Sequence, residues 1–555
     1  MKKFIKIIAL VLTLAMLAAG LVACAGGSAE DQEGEWGDFS WSYKKDTKTL
    51  TVTGAGDMPD AASADEVPWA SLRYYIEAIR LRAEGAPITS VGDYAFYGCY
   101  YLIYAQLGNN VMTIGDYAFA CNDNLIAAVL PDSVKSIGDY AFYDCAGITS
   151  AMLGNGLTDI GAYAFYGCGA LLDVVIPENV KSIGDNAFLE CYKLVEVINY
   201  SALNIEAGAT SNGCVAYYAI NVDVSGSMIY ILDDYLFYVH NGKNYLISYV
   251  GMDIDLVLPE SFRGETYEIH DYAFYHNFNL MSVVIPDGVT AIGDYAFAEC
   301  KGLEIVNIGK GVTHIGERAF DYCRAIKSMI IPGGVEAIGP YAFYGCSNME
   351  TVVVGNNVKI IGDRAFYNCS GMETIRLGNN VTTIGDGAFG NCAGLENIII
   401  PDSVTTIGDG AFWGCSSMRS ITLSNSITSI GIGTFYNCTY LESIVIPEGV
   451  PSIGYEAFFG CFSLFYVVIP ESMTSIGDCA FEWCLSLTEI VIPESVTSIG
   501  YYAFYGCESL TAVFFGSASG WTVNGDAIDS TELSDPSVAA EYLAITHVDY
   551  SWKRD

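Results

Sequence analysis

A nine-residue segment, Ile137-Gly138-Asp139-Tyr140-Ala141-Phe142-Tyr143-Asp144-Cys145, recurs along most of the chain with small variations. Its Phe falls at 96, 119, 142, 165 and 188, and again at 274, 297, 320, 343, 366, 389, 412, 435, 458, 481 and 504. Within each block the step is 23 residues without exception, giving five units and then eleven. The unit is approximately I-G-x-x-A-F-x-x-C-x-x-L-x-x-V-x-I-P-x-x-V-x-x. So short a unit has too little apolar surface to fold alone, whereas stacked units bury a continuous core. The 555 residues therefore predict coils of a solenoid rather than several globular domains. With strands about 4.8 Å apart, the repeats predict a stack roughly 75 Å long.

The local chemistry of one coil follows from its residues. Leu303, Val306 and Ile308 form a short β-rich run, as do Leu441, Ile444 and Ile446. Pro286, Gly309 or Pro447 then ends the strand and turns the chain. A second apolar pair, such as Val289 and Ile292, crosses the back of the coil. The following Gly is expected to permit a tight bend. Asp139, Asp294 and Asp363 stand where a helix N-cap belongs, ahead of an Ala-Phe pair inside one helical turn. The expected fold class is an α/β repeat: a parallel sheet of short strands joined by short helical turns.

These motifs resemble the BspA-like leucine-rich repeats of bacterial surface proteins, over about 79–200 and 269–515. The resemblance implies a curved leucine-rich-repeat solenoid with one short strand per repeat. It also implies placement at the cell surface and roles in adhesion, in binding host or matrix proteins, or in coaggregation. Trp41-Ser42-Tyr43 through Leu50-Thr51-Val52-Thr53-Gly54, with Trp69, resembles the β-hairpin module that often precedes such repeats. The stretch from Trp521 to Trp552, with a helical Asp535 to Leu543, resembles their terminal cap. The expected organisation is an N-terminal β-hairpin cap at 36–78, five repeats at 79–200, an insertion at 201–268, eleven repeats at 269–515 and a C-terminal cap at 516–555. In the insertion, β-branched and aromatic residues flank Asn241-Gly242, a strong hairpin turn signal.

The N-terminus predicts export. Lys2, Lys3 and Lys6 precede an uncharged apolar stretch from Ile7 to Leu21, short for a membrane span of about 20 residues. Leu21-Val22-Ala23-Cys24 resembles a bacterial lipobox, which implies cleavage after 1–23 and a lipid on the Cys24 thiol. The alternative is an ordinary secretory signal cut near Ala23. Residues 24–35 would then form a tether. The expected location is the cell surface, with the bacterial membrane touched only through the N-terminal lipid.

Composition excludes some partners. With 25 Lys+Arg against 64 Asp+Glu, the net charge of −39 leaves no basic patch for nucleic acid. Fourteen of the 18 cysteines sit three residues after the repeat Phe, and Asn122 and Asn277 replace two more. One reading is a buried ladder of thiols donating weakly to turn backbone. The other is a row of disulfides between neighbouring coils, since stacked strands lie about 5 Å apart. No CxxC pair predicts zinc. The histidines (His240, His270, His276, His314 and His547) lack HExxH spacing, and nucleophile-elbow and phosphate-loop motifs are missing. No enzyme activity, cofactor or metal is therefore expected. The Asp column is more simply helix capping than a calcium array. Asp223, Ser225 and Ser227 match a D-x-S-x-S metal motif, but the insert is too short for the domain that uses it.

Partner binding is expected at variable strand positions seven, eight and ten residues after each Phe. The candidates are Glu304, Asn307, Glu373, Arg376, Arg419, Thr422, Phe465, Tyr466 and Val468. The third column is mostly apolar, including Val129, Met152, Ile330, Ile399, Val445 and Phe514. Exposed, it would mark an interaction stripe; alternatively it packs beneath another layer. A second candidate is the tyrosine row at Tyr94, Tyr117, Tyr140, Tyr163, Tyr295, Tyr341 and Tyr502, suited to protein or sugar contacts or to sealing the core edge. The leading expectation is a non-enzymatic adhesion scaffold whose partner is an extracellular or surface protein, such as a host matrix protein or another cell's surface. The alternative is a glycan-binding or envelope-spacer surface protein.

Overall fold

The computed structural model describes residues 29–223 and 229–554. Every coil is built around a turn that no helix could make. The residues two before and two after each repeat Phe both have positive φ in all sixteen units, from Tyr94 and Gly98 to Tyr502 and Gly506. A right-handed helix cannot run through two left-handed residues four positions apart. The backbone donors of the turn are spent between coils instead. Arg318, Phe320 and Tyr322 donate their N–H groups to the carbonyls of Pro340, Ala342 and Tyr344, at 2.9, 2.7 and 2.7 Å. The expected helical turns of the α/β reading are therefore corrected. The repeats are strand and turn, and the described helices of the second unit, Ser530–Leu533 and Pro536–Glu541 with a π-turn at Tyr542–Thr546, lie beyond them.

Two other expected roles in this turn change. Asp139 is not a helix cap: its Oδ1 accepts the backbone N–H of Ala162 in the next coil at 2.7 Å. The same strut recurs where Asp294 accepts from Glu317 and Asp363 from Asp386. The preceding glycine serves close approach rather than a bend. A Cβ on Gly138 would stand 2.7 Å from the Gly115 carbonyl carbon of the coil before.

The chain divides into two compact units, ending and beginning at Ile229 and Tyr230. In the first, β1 (Gln32–Trp36), β2 (Phe39–Lys44) and β3 (Thr49–Asp57) pair antiparallel in order, and β3 pairs parallel with the long β4 (Ala78–Val91). Two parallel ladders then run through the coils, where the resemblance implied one strand per repeat. The back ladder passes from β4 to β6 (Thr113–Ile114) and on to Ser136–Ile137, Asp159–Ile160 and Ser182–Ile183. On the front, β5 (Tyr104–Gln106) pairs with the start of β4, and a separate ladder runs through β7 (Ala127–Val129), β9 (Ser150–Met152), Asp173–Ile176, Glu196–Asn199 and Asn221–Asp223. Here β8 denotes Ser136–Ile137.

Between the ladders the repeat Phe side chains stack. Phe142 and Phe165 lie 5.1 Å apart at 6°, and Phe165 and Phe188 5.0 Å apart. Trp69 stacks on Phe96 at 5.7 Å and donates its indole N–H to the Ala95 carbonyl at 2.7 Å, closing the column. Its other neighbours are Trp36 and Trp41, which meet it edge-on. At the far end, the Phe188 N–H finds the Gly213 carbonyl at 2.8 Å, so residues past 200 complete the last turn.

The second unit uses the same column from Phe274 to Phe504, with ring spacings of 4.8 Å at its start and 5.3 Å at its end. It begins with an antiparallel hairpin, Tyr235–His240 and Lys243–Tyr249, around Asn241-Gly242. Both turn residues have positive φ, which matches the twist of the strands. Tyr267–Ile269 joins this hairpin to the back ladder, and Asp255–Val257 begins the front one. Trp552–Arg554 pairs antiparallel with Ser498–Ile499 and covers the last back edge. Tyr502 donates its N–H to Val548 at 2.7 Å, which closes the turn column.

Candidate binding faces

A front strand in the second unit alternates strictly, because its residues nine and eleven after Phe point into the core. In Ser328–Ile331 the burial runs exposed, buried, exposed, buried. Three outward columns result. The first is charged: Glu304, Lys327, Glu350, Glu373, Glu396 and Arg419 are exposed. The second is small and polar, with Thr374 donating to Thr351 Oγ1 at 3.4 Å and Ser420 to Asn397 Oδ1 at 2.6 Å. The third is apolar and uncovered: Ile330, Ile399, Val445 and Val491 retain 67%, 72%, 59% and 56% exposure. Of the two readings left by the sequence, the exposed stripe stands in the second unit.

The predicted partner-binding residues all lie on this one face. Glu304 precedes the strand Ile305–Ile308 and Asn307 lies within it; Glu373 and Arg376 belong to the coil of Thr374–Arg376; Arg419 and Thr422 to that of Ser420–Thr422. All six are exposed, as are Phe465 and Tyr466, while Val468 is half-buried. Arg419 pairs with Glu442 at 3.2 Å and lies over the Tyr440 ring at 5.7 Å. Cys24 and the motif residues Ser225 and Ser227 fall outside the described residues, as does the side chain of Asp223.

The tyrosine row is half-buried apart from the exposed Tyr502, and in the first unit it is stacked on itself. Tyr94, Tyr117, Tyr140 and Tyr163 lie 4.8, 4.6 and 4.8 Å apart, within 7° of parallel. Their ring faces are spent on one another. In the second unit Arg318 replaces a tyrosine and its guanidinium lies over Tyr341 at 4.3 Å. The row leaves few ring faces for a ligand.

The cysteines form a ladder of free thiols. From Cys145 to Cys191 and from Cys300 to Cys507, each Sγ donates to the carbonyl of the Phe 26 residues earlier, at 3.0–3.4 Å. Asn122 makes the same bond to Phe96 at 3.0 Å and adds one to Phe119 at 2.7 Å. Burial pushes the thiols of Cys99 and Cys415 up to about 12, so they stay protonated and unreactive. Among the described residues no three His, Cys, Asp or Glu side chains gather as a metal site. His314 is exposed on the back ladder. No described helix is long and apolar enough to cross a membrane.

Sequence reasoning missed one feature of the first unit. A half-open cleft of about 720 Å³ lies on its front face, lined by residues of the first two coils and the end of the cap. The signal was present in the residue nine after each Phe. This inward position holds Ala105, Ala128 and Ala151 in the first three coils, and Val, Ile or Met from Val174 onward.

Comparisons with known proteins follow the repeats. The BspA type leucine rich repeat region matches in six copies, over residues 76–214, 267–396, 360–486 and 428–545. The chain is similar to a solved leucine-rich repeat protein from Bacteroides ovatus, at 25% identity over 83% of this chain and 95% of that one, with a TM-score of 0.37. It is also similar to a leucine rich cell surface protein from Faecalibacterium prausnitzii, at 22% identity over 88% and 95%, with a TM-score of 0.30. The T. pallidum leucine rich repeat protein is 27% identical over 34% of this chain and 90% of its own, with a TM-score of 0.31. A search of curated proteins finds no match. The matched repeats cover most of the chain, and the chain belongs to the BspA type leucine rich repeat family.

Proposed function

We propose that the protein is a non-enzymatic scaffold of the cell surface that binds another protein through the front face of its second unit, and so serves in adhesion. The observation that carries this reading is the uncovered apolar column beside a charged one. Exposed apolar stripes of this kind mark interaction sites, and a charged margin supplies orientation and selectivity. Phe465 and Tyr466 add aromatic anchors at 51% and 48% exposure. Surface placement is supported by the apolar leader ending in Cys24 and by the cell-surface description of the F. prausnitzii protein. The anchor would be the lipid on Cys24, and the partner an extracellular matrix protein or another cell's surface protein. A glycan reading has less support, because the tyrosine rings of the first unit are stacked face to face.

The test is a screen of the purified protein on arrays of matrix proteins and glycans, repeated with the combined variant Glu373→Ala, Arg376→Ala and Phe465→Ala. Binding to a protein that the variant loses at least tenfold is the expected result. Binding to neither class would replace the adhesin by a spacer. Radioactive palmitate labelling that survives Cys24→Ala would remove the anchor.

A further inference from the structure

We propose that the cleft in the first unit is a binding site for a compact, uncharged, mainly apolar small molecule. It is separate from the front face of the second unit and does not depend on the adhesion reading.

The cleft has a cause in the sequence. Elsewhere a Val, Ile or Met nine residues after Phe fills the space under the front strand, as Val174 and Val352 do. At Ala105 and Ala128 that space is under-filled, and a small void remains against Phe119, Leu125 and Phe142. The front ladder opens above it. Ile126 still donates its N–H to the Ile103 carbonyl at 3.2 Å, but among the described residues no strand pairing joins β5 to β7. The ladder resumes at the next coil, where β7 pairs with β9 over three residues. The opening strands make the walls, with Ile103, Tyr104 and Ala105 on one side and Ile126, Ala127 and Val129 on the other.

Size and charge select the occupant. A volume of about 720 Å³ suits a small-molecule site. The lining is apolar with a few polar groups at the rim, among them Thr47, Gln106 and Asn109. Its one charged residue, Glu77, is already held by Lys48. A cation therefore finds no free counter-charge, and an anion meets a chain of net charge −39. A neutral ring system with one or two hydroxyl or carbonyl groups fits both conditions. The rim side chains and the unladdered main chain of the cleft supply its polar contacts.

The probe is the neutral fluorophore N-phenyl-1-naphthylamine, titrated into the purified protein while its emission is followed. Ala127→Trp and Val129→Trp fill the cleft from the solvent side, and Thr351→Trp makes the same change on the second unit as a control. Saturable, one-site binding by the natural protein and by Thr351→Trp is expected, with affinity at least tenfold weaker in both cleft variants. Melting curves and circular dichroism check each variant, and either cleft variant with a native melt suffices. Failure of the natural protein to show saturable binding would overturn the proposal. So would undiminished binding by a folded cleft variant, which would place the probe elsewhere.

Discussion

The two units share a turn and differ in what lies under the front strand. Gly, Ala, Phe and Cys recur in both, and the Phe rings stack at similar spacings, 5.1 Å for Phe142–Phe165 and for Phe297–Phe320. The inward strand residue differs: Ala105, Ala128 and Ala151 in the first three coils, against Val283, Val306, Met329 and Val352 in the second unit. The turn is sufficient to keep coils stacked, because its donors and carbonyls bind from coil to coil. The inward side chain sets the space behind the strands rather than their pairing. β7 pairs with β9 across Ala128 and Ala151, and among the described residues no strand pairing joins Ile305–Ile308 to Ser328–Ile331. The smaller side chains at Ala105 and Ala128 leave the void that accompanies the cleft of the first unit.

The largest test of this comparison is removal of a stacked ring. Phe320→Ala in the second unit should cost about 3–5 kcal/mol, because Phe320 is wholly buried between Phe297 and Phe343 in a filled core. Phe142→Ala in the first unit should sit at the low end of that range, since the void beside it lets neighbours relax. Equal costs in denaturant titrations would contradict the difference in packing. A reciprocal exchange sharpens it. Val352→Ala should cost about 2 kcal/mol and leave a void behind the second unit's front ladder. Ala128→Val should be neutral or stabilising by up to about 1 kcal/mol, while slowing hydrogen exchange around Ala128. A destabilising Ala128→Val would mean that the strand has no room behind it.

The thiol ladder is common to both units and predicts a smaller effect. Cys346 Sγ donates to the Phe320 carbonyl at 3.2 Å inside the buried core. Cys346→Val keeps the volume and removes the donor, for a cost of about 1–2 kcal/mol. Cys346→Asn copies what Asn122 already does at this position and should restore part of that loss. If valine were harmless and asparagine disruptive, the ladder would be simple packing without hydrogen bonding.

Much of this architecture was legible because a 23-residue period multiplies weak signals sixteen times. Column identity fixed the core, since Phe, Leu and the apolar strand residues could be placed by register alone. The outward columns were nearly as plain: period two places the positions eight and ten after Phe outward, while Glu304, Glu373, Arg419 and Phe465 are exposed because they stand just before the strand. The turn was misread because Asp, Ala and Phe are compatible with a helix start. What decides against a helix is a pair of positive φ angles, held in nine of thirty-two places by Gly and elsewhere mostly by Tyr, Asn, Glu and Arg. The latter give no glycine-like warning. The hydrogen bonds that stabilise such angles run to the next coil, and a single repeat does not display them. The alanine column was visible, but its consequence depends on how far a strand can part from its neighbour, which is a property of packing.

The smallest effect concerns Asp173, at a position on the first unit's front face where the second unit places Ser328 or Thr351. It is paired in register with Ser150 on one side and Glu196 on the other. Burial raises its carboxyl from the ordinary value to about 6. Below about pH 4 the group is protonated whether the chain is folded or not, and its contribution to stability is fully present. Between about pH 4 and 6 the unfolded chain releases this proton while the folded one keeps it, so stability falls as the pH rises through that window. Above pH 6 the folded unit carries an ionised carboxylate in a desolvated place. Asp173→Asn removes the ionisation, and should match the natural protein at pH 4 but melt about 2–4 °C higher at pH 7. The serine and threonine coils of the second unit should show no such crossing when Thr351→Asn is compared in the same way. Parallel melting curves for Asp173→Asn and the natural protein across pH 4–7 would show that water reaches this carboxylate, and that the front face of the first unit is as open at Asp173 as the second unit's is at Thr351.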